Sequence, residues 1–380
     1  MTEPLKTTHK IIIGDPGAMS EIGDRSIDLV ITSPPYPMIQ MWDDLFSQVD
    51  PKISDALAKG NGALAFECMH QQLDTVWNEV YRILKPGGMA CIIIGDATRS
   101  LNGHFQLFPN HARIITKIAA LGFSQLPTIL WRNPTNVPNK FMGSGMLPSG
   151  ACVALEHEYI LIFRKGKKRQ FDQDQEVIRR QSAYFWEERN LWYSDLWFDL
   201  RDSSQKLDDL TKRSGAYPLE LPLRLINMFS IHGDIIADPF LGSGTTMVAS
   251  MCSARNSIGY EIDHRLQPAI LETIADIPNI GKTIIRNRLD AHYRFIGERR
   301  RTKGELKHTN RPYGFPVMTR QEEDLRLPLI QNIQFLSSFK FQIGYGQMQL
   351  ESAAQAPLAT DATPLRVRSR PNKGRQLKLF

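Results

Sequence analysis

Two short stretches bring together residue types that chemistry needs. The first is DPFLGSGTT, Asp238 to Thr246, which follows the apolar run Ile235, Ile236 and Ala237 and precedes a helix-like segment. A strand, a glycine-containing turn and a helix start form the first crossover of a nucleotide-binding sheet, where glycines let backbone approach the ligand. Gly242 and Gly244 make a GxG without the third spaced glycine of a dinucleotide site, and no Lys follows as a phosphate loop requires. Seventeen positions beyond Gly244, at the end of the next predicted strand, stands Glu261 in GYEID. An acid placed there accepts hydrogen bonds from ribose hydroxyls. Together these features suggest an adenosine-containing ligand without a bound pyrophosphate, and S-adenosylmethionine fits best.

The second stretch is TSPPY, Thr32 to Tyr36, at the end of the apolar run IDLVI. Two prolines fix the backbone and remove two N–H donors, so the exposed polar groups are mainly carbonyls. With the Ser33 hydroxyl and the Tyr36 ring, the loop offers hydrogen-bond acceptors beside a flat stacking surface, which suits a planar amine. The amino nitrogen of a nucleobase is a poor nucleophile because its lone pair is conjugated with the ring. Acceptors that hold its N–H groups out of plane restore lone-pair character toward an incoming methyl.

The elements that must position these loops are legible as alternation. Short runs rich in Ile and Val at residues 10–13, 27–31, 89–94, 125–131, 159–164, 235–237 and 257–260 read as seven strands. Between them, residues 71–84, 110–121, 219–230 and 245–254 read as helices, with Pro86, Gly87 and Gly88 stopping the first. The pattern predicts an α/β fold: a seven-strand, mostly parallel sheet with helices on both faces. Residues 166–213 break the rhythm. They are basic at Lys167, Lys168 and Arg169, then aromatic at Tyr184, Phe185, Trp186, Trp192, Tyr193, Trp197 and Phe198. Such an insertion is either a recognition module or a subdomain packing its own small core.

In this order the motifs resemble those of the DNA amino-methyltransferases. Over roughly residues 8–274 the chain carries IIIGD (Ile11 to Asp15), TSPPY, LKPGG (Leu84 to Gly88), LWRNP (Leu130 to Pro134) and HEYILIFRKG (His157 to Gly166). YPLELPLRLI (Tyr217 to Ile226), DPFLGSGTT and GYEID follow. A catalytic loop that precedes the cofactor loop resembles the circularly permuted beta group, whose fold is that of S-adenosylmethionine-dependent methyltransferases. Permutation is physically permissible because a sheet needs strand neighbours rather than a particular chain start.

The resemblance implies roles residue by residue. Asp238, Pro239, Phe240, Gly242, Gly244 and Thr245 match the cofactor loop, Glu261 the ribose acid, and Tyr217 to Leu221 a segment bordering the cofactor. Asp15 matches an acid that bonds the cofactor's adenine, with a turn-capping Asp before Pro16 as the alternative. Ser33, Pro34, Pro35 and Tyr36 match the catalytic loop, Ser33 and the Pro34 carbonyl accepting from the amine while Tyr36 stacks on the base. A duplex hides that amine, so the base has to be flipped out. In the family SPPY usually accompanies cytosine N4 methylation and DPPY adenine N6, so Ser33 favours cytosine-N4-specific methylation, with adenine as the alternative. The insertion at 166–213 corresponds to the target-recognition region, the expected partner is double-stranded DNA, and a restriction-modification or orphan methylation system is the expected setting. A cognate restriction endonuclease is compatible with this but not encoded in the motifs.

Other features bound the reading. With 380 residues, 42% apolar and 23% charged, the chain is long enough for a substantial core. Cys68, Cys91, Cys152 and Cys252 are isolated, with no CxxC pair or nearby His at metal-ligand spacing, so no metal is expected; none follows a proline, as a thiolate attacking cytosine carbon-5 typically does. Isolated thiols and the lack of a membrane-length apolar run or leader point to a cytoplasmic protein. The net charge of +6 is concentrated late: residues 297–313 hold six Lys or Arg against two Glu, and residues 361–380 hold six against one Asp. That placement suits contact with a polyanion. The domain plan is a catalytic domain at 1–290, a basic linker and small segment at 291–350, and a disordered basic tail at 351–380. QLKLF, Gln376 to Phe380, resembles the short peptide with which bacterial proteins bind the replication sliding clamp. A non-specific basic tail and a packed terminal segment are the alternatives. A non-catalytic protein that merely binds cofactor and DNA would predict damaged loops, and both loops are intact.

Overall fold

The computed structural model describes residues 5–133, 147–150, 152–200 and 217–346. The chain opens with β1 (Lys6–Ile13) and β2 (Ile27–Thr32), and three helices, α1 (Asp43–Val49), α2 (Lys52–Ala58) and α3 (Gly62–Ile83), lead to β3 (Leu84–Ile94). A hairpin of β4 (Ala97–Leu101) and β5 (His104–Phe108) precedes α4 (Asn110–Ala120), β6 (Phe123–Gln125), β7 (Ile129–Arg132) and β8 (His157–Lys165). Then come α5 (Gln173–Gln181), α6 (Trp186–Trp192), β9 (Leu196–Trp197), α7 (Glu220–Phe229), β10 (Ile235–Asp238), α8 (Thr245–Cys252) and β11 (Asn256–Glu261). The chain continues through α9 (Gln267–Ala275), α10 (Ile277–Lys303), β12 (His308–Thr309), β13 (Pro316–Val317), β14 (Leu329–Ser337) and β15 (Lys340–Gly346). Among the described residues no helix is long and apolar enough to cross a membrane.

The main sheet runs β14-β15-β1-β11-β10-β2-β3-β8-β7-β9, with β6 also on β8. Its centre, β1, β11, β10, β2 and β3, is parallel, while β8 and β15 add antiparallel flanks. The α/β architecture is the expected one, but the sheet has eleven strands rather than seven. The expected strand at 125–131 divides into β6 and β7, both pairing with β8. Period-two alternation feeds two cores. In β3, Met89, Cys91 and Ile93 join the core under α7, α8 and α9, whereas Ala90, Ile92 and Ile94 join the core under α1 to α4.

Local chemistry explains where elements begin and end. The Asn61 side chain accepts from Leu64 N at 3.1 Å and so starts α3 nine residues before the expected 71. LKPGG does not lie between helix and strand but forms the start of β3, with an irregularity in its pairing with β2 between Ile27 and Leu29. Gly87 there has φ of +84°, which glycine adopts without steric cost.

The C-terminal plan differs from the sequence expectation. The expected boundary at residue 290 falls inside α10, and β15 pairs with β1, so residues up to 346 build the same unit as the sheet. The tail at 351–380, with Gln376 to Phe380, lies outside the described residues. Arg300, Arg301 and Lys303 occupy the last turn of α10, where cations complement the helix dipole.

The aromatic insertion resolves largely into packing. Phe185 is fully buried and stacks on His292 of α10 at 4.0 Å, and Trp192 and Trp197 are buried as well. Arg288 pairs with Glu188, both largely buried, and His292 bonds Glu187 and the Pro316 carbonyl. Arg169 bonds Asp234 at 2.7 Å, and Ser182 Oγ accepts from His232 N. Those partners precede β10, so this half of the insertion packs at the end of the sheet where β2 and β10 begin. The chain turns back only with β9, which runs parallel to β7.

His9 ties three strands together. Its ring, fully buried in β1, bonds Ser257 of β11 at 2.7 Å and Thr7 at 2.8 Å, and Thr7 in turn bonds Tyr345 of β15. Burial pushes its pKa down to about 3. The unfolded chain therefore takes up this proton below about pH 6.5 while the folded protein refuses it until about pH 3. Stability from this group is complete above pH 6.5 and falls as pH drops toward 3, by up to about 1.4 kcal/mol per pH unit. In urea titrations across pH 7 to 4, His9→Asn is expected to lose stability less steeply than the wild type. Equal slopes would show that the ring is not held neutral.

Candidate active site

The two motif loops leave the C-terminal ends of adjacent parallel strands. After β10 the chain crosses through α8 to β11 on one side, and after β2 it crosses through α1 to α3 to β3 on the other. The two crossovers diverge, so a crevice opens between β10 and β2, the position at which open α/β sheets bind ligands.

Asp238 closes the base of that crevice. It is buried, and its Oδ1 accepts from Thr32 Oγ1 at 2.6 Å and from Phe240 N at 3.1 Å. Tyr217 Oη lies 3.5 Å from Oδ2 and also meets the Thr246 hydroxyl. Burial raises the Asp238 pKa, and the Thr32, Thr246, Phe240 and Tyr217 hydrogen bonds oppose that rise. Burial, and then the neighbouring Asp238, pushes the Tyr217 phenol well above its ordinary value, so Tyr217 remains a hydroxyl donor.

The glycine turn is shaped by backbone conformation. Gly242 and Gly244 have φ of +56° and +82°, and Gly244 is the residue from which α8 starts. A Cβ on Gly244 would lie 3.1 Å from Ile270. Pro239 is buried, while Phe240, Gly242 and Thr245 are partly exposed on the loop. Glu261, at the end of β11, accepts from Gly242 N and Asp263 N, each at 2.8 Å and each on a different carboxylate oxygen. Each oxygen retains a lone pair for a further donor. Burial raises the Glu261 pKa, against these two backbone bonds. Asp15 is exposed just past β1, where the Gly14 N–H bonds the Glu261 carbonyl. Asp15 Oδ1 accepts from Gly17 N at 2.8 Å, which is the turn-capping geometry.

On the other wall, Thr32 and Pro34 are buried and Ser33, Pro35 and Tyr36 are partly exposed. Ser33 Oγ donates to Tyr36 Oη at 3.2 Å, and Tyr36 Oη donates to Glu158 Oε2 at 2.5 Å. Burial, followed by Glu158, holds the Tyr36 pKa well above its ordinary value. The Tyr36 ring lies against Gly95, where a Cβ would sit 3.0 Å from Cε2. Asn110, fully buried, donates to the carbonyls of Pro37 and Gly95 at 3.1 and 2.9 Å and so pins the loop's exit. Met38 follows with φ of +68°, an uncommon conformation for a residue with a side chain.

The structure thus gathers the expected residues into two groups at one crevice: Tyr217, Asp238 to Thr245 and Glu261 with Asp15 beyond it, and Ser33 to Tyr36. Sequence reading missed Glu158, Asn133, Gly95 and Asn110. Glu158 stood within the quoted HEYI, but nothing in local spacing says that residue 158 meets residue 36. The exposed ring of Phe198 follows β9, whereas Phe185, Trp192 and Trp197 are core residues rather than a stacking platform.

Comparison with known proteins bears on this crevice. A family model described as DNA methylase matches residues 27–272. The Type II methyltransferase M.MthZI of Methanothermobacter thermautotrophicus is 47% identical over 358 residues, covering 93% of this chain and 99% of that protein. M.MjaI of Methanocaldococcus jannaschii, also a Type II methyltransferase, is 50% identical over 285 residues, 72% of this chain and 93% of its own length. The crystal structure of a DNA modification methylase of Thermus thermophilus, TTHA0409, complexed with S-adenosyl-L-methionine superposes with a TM-score of 0.56 at 30% identity, covering 71% of this chain and 94% of that one.

The bond from Thr32 to Asp238 is the testable element of this geometry. Thr32→Val keeps the shape but strips a donor from a buried carboxylate, and is expected to lower stability by about 1–3 kcal/mol in denaturant titrations. A change below about 0.5 kcal/mol would mean that the carboxylate does not depend on this donor.

Proposed function

The chain belongs to the N6/N4 DNA methylase family, and from that premise we propose that it methylates the N4 amine of cytosine in double-stranded DNA. As a member of that family it is a DNA methyltransferase whose methyl donor is S-adenosylmethionine. When bound, the donor supplies a sulfonium-activated methyl group. The observation that carries the proposal is the adjacency of β2 and β10, which places the loop suited to an amine beside the loop suited to an adenosine ligand.

The residues fit the donor. Glu261 keeps lone pairs for ribose hydroxyls, Gly242 and Gly244 leave the turn bare, and Asp238 and Tyr217 fix the floor below it. Asp15, whose Oδ1 holds the Gly17 turn, is the proposed contact to the adenine.

On the substrate side, the serine before the Pro-Pro pair supports cytosine. Ser33 directs its own proton toward Tyr36, so its oxygen presents acceptor character to an amine N–H, with the Pro34 carbonyl beside it. Pro35 keeps the turn stiff, and the Tyr36 ring, held at its hydroxyl by Glu158 and supported by Gly95, stacks on a flipped base. Desolvation at this buried corner strengthens each of these hydrogen bonds. A restriction-modification setting accords with the Type II relatives.

The decisive measurement is incubation with S-adenosylmethionine and unmethylated DNA, hydrolysis to nucleosides, and mass spectrometry, with Tyr36→Ala in parallel. N4-methylcytosine is expected, and its loss in the variant. N6-methyladenine would keep the family and overturn the serine argument, while no methylated nucleoside across varied DNA would overturn the activity for this chain. For the donor pocket, Glu261→Ala is expected to weaken S-adenosylmethionine binding about 10- to 100-fold by calorimetry, the worth of hydrogen bonds to a charged group. An unchanged Kd would remove Glu261 from the pocket.

A further inference from the structure

Methyl transfer to an amine creates a proton that needs a destination, and its assignment rests on the reading of Ser33 to Tyr36 as the catalytic loop. As the methyl carbon bonds to the amine nitrogen, its bond to sulfur breaks and the electron pair stays on sulfur. The nitrogen is then left with one proton too many. Ser33 Oγ is the nearest candidate acceptor, but a serine that takes a proton must pass one on.

The hydrogen-bond directions provide that outlet. Ser33 Oγ donates to Tyr36 Oη at 3.2 Å, and Tyr36 Oη donates to Glu158 Oε2 at 2.5 Å, so both O–H bonds point from the loop toward one carboxylate. Glu158 stands at the start of β8, the strand antiparallel to β3, and its other oxygen accepts from Asn133 Nδ2 at 2.9 Å. The tyrosine resists ionisation because burial and the neighbouring carboxylate disfavour the phenolate. It can therefore hand a proton across its hydroxyl but does not store a negative charge.

We propose that Glu158 is a positioning residue for Tyr36 that also receives the reaction's proton. Ser33 Oγ takes the proton from the amine while giving its own to Tyr36 Oη, and Tyr36 Oη gives its own to Glu158 Oε2. Both hydroxyls end as they began. The positive charge of the sulfonium and the negative charge of the carboxylate disappear together, leaving a neutral thioether, a neutral methylated amine and a neutral acid, with no further co-reactant.

Other titratable groups share this corner, and they define the control. Tyr217 approaches Tyr36 from the donor side. His157 and Tyr159 flank Glu158 on β8, His111 stacks on Tyr159 at 4.0 Å and pairs with Asp96, and Arg132 pairs with Glu156. Of these, the histidines are the groups whose ordinary titration falls near neutrality.

The test is single-turnover methylation by rapid quench between pH 5 and 9, starting from the complex of full-length protein, S-adenosylmethionine and DNA. The wild type is expected to lose rate on the acid side as the terminal acceptor becomes protonated. Glu158→Gln is expected to be about 100-fold slower, the usual worth of a positioned acid or base, and to lose that acid limb, with S-adenosylmethionine and DNA affinities unchanged. Tyr36→Phe interrupts the same path and should give the same flat profile, while Glu158→Asp should restore the limb. A Glu158→Gln rate within threefold of wild type, or an acid limb that survives in Glu158→Gln and so belongs to a histidine, would overturn the assignment. If Ser33→Ala and Tyr36→Ala also left the rate intact, the reading of the loop itself would fall. Should Glu158→Gln not fold, the Glu158→Asp and Tyr36→Phe profiles decide alone.

Discussion

One buried hydrogen bond, from the Thr32 hydroxyl to the Asp238 carboxylate at 2.6 Å, joins segments 206 positions apart in the chain. It lies where β2 and β10 both end, so each motif loop departs from a point fixed relative to the other. A carboxylate buried at that depth has to be satisfied on all sides. Thr32 and the Phe240 N–H serve one oxygen and Tyr217 approaches the other, so the strand end, the glycine turn and the segment entering α7 are held by one group. The neighbouring Glu261 does the same for β11, gripping the turn at Gly242 and the chain at Asp263. Two acids thus set the crevice by binding the protein's own backbone and hydroxyls, and only their remaining lone pairs face a ligand.

Much of this was legible in sequence because parallel strands buried on both faces must be runs of Ile, Val and Leu. The runs at β2, β3, β8, β10 and β11 show that plainly, and the motif loops follow them. The hairpin of β14 and β15 was not legible for the opposite reason. β14 lies at the edge of the sheet with most of its side chains exposed, so QNIQFLS carries little apolar signal. The start of α3 depended on a cap at Asn61, and the aromatic cluster gave no sign of which rings would be core. Phe185 finds its partners, His292 and Phe315, more than a hundred positions later. Glu158 was invisible as a site residue because its relation to Tyr36 exists only once β8 lies antiparallel to β3.

Charge placement also reads differently in three dimensions. The basic run after Gly297 looked suited to a polyanion, and its position explains it in a second way, as the last turn of a 27-residue helix whose carbonyl end favours cations. The same helix begins under the sheet, at Ile277, and ends beside Phe185 and Pro316. It therefore couples the main core to the small core made by the insertion and residues 308–327. That coupling makes the aromatic half of the insertion part of the scaffold.

The placement of β1 has a consequence for how the protein is made. Both of its neighbours, β11 and β15, lie beyond residue 255, so the first strand to leave the ribosome has no partner until most of the chain has followed. Its apolar Ile11, Ile12 and Ile13 wait through the synthesis of the whole catalytic loop and donor loop. Pairings of such long sequence separation are slow to form, and unpaired strands are exposed to association in the meantime. The N-terminal third therefore cannot complete its sheet during translation, and the crevice becomes fully assembled only after the C-terminal hairpin is released.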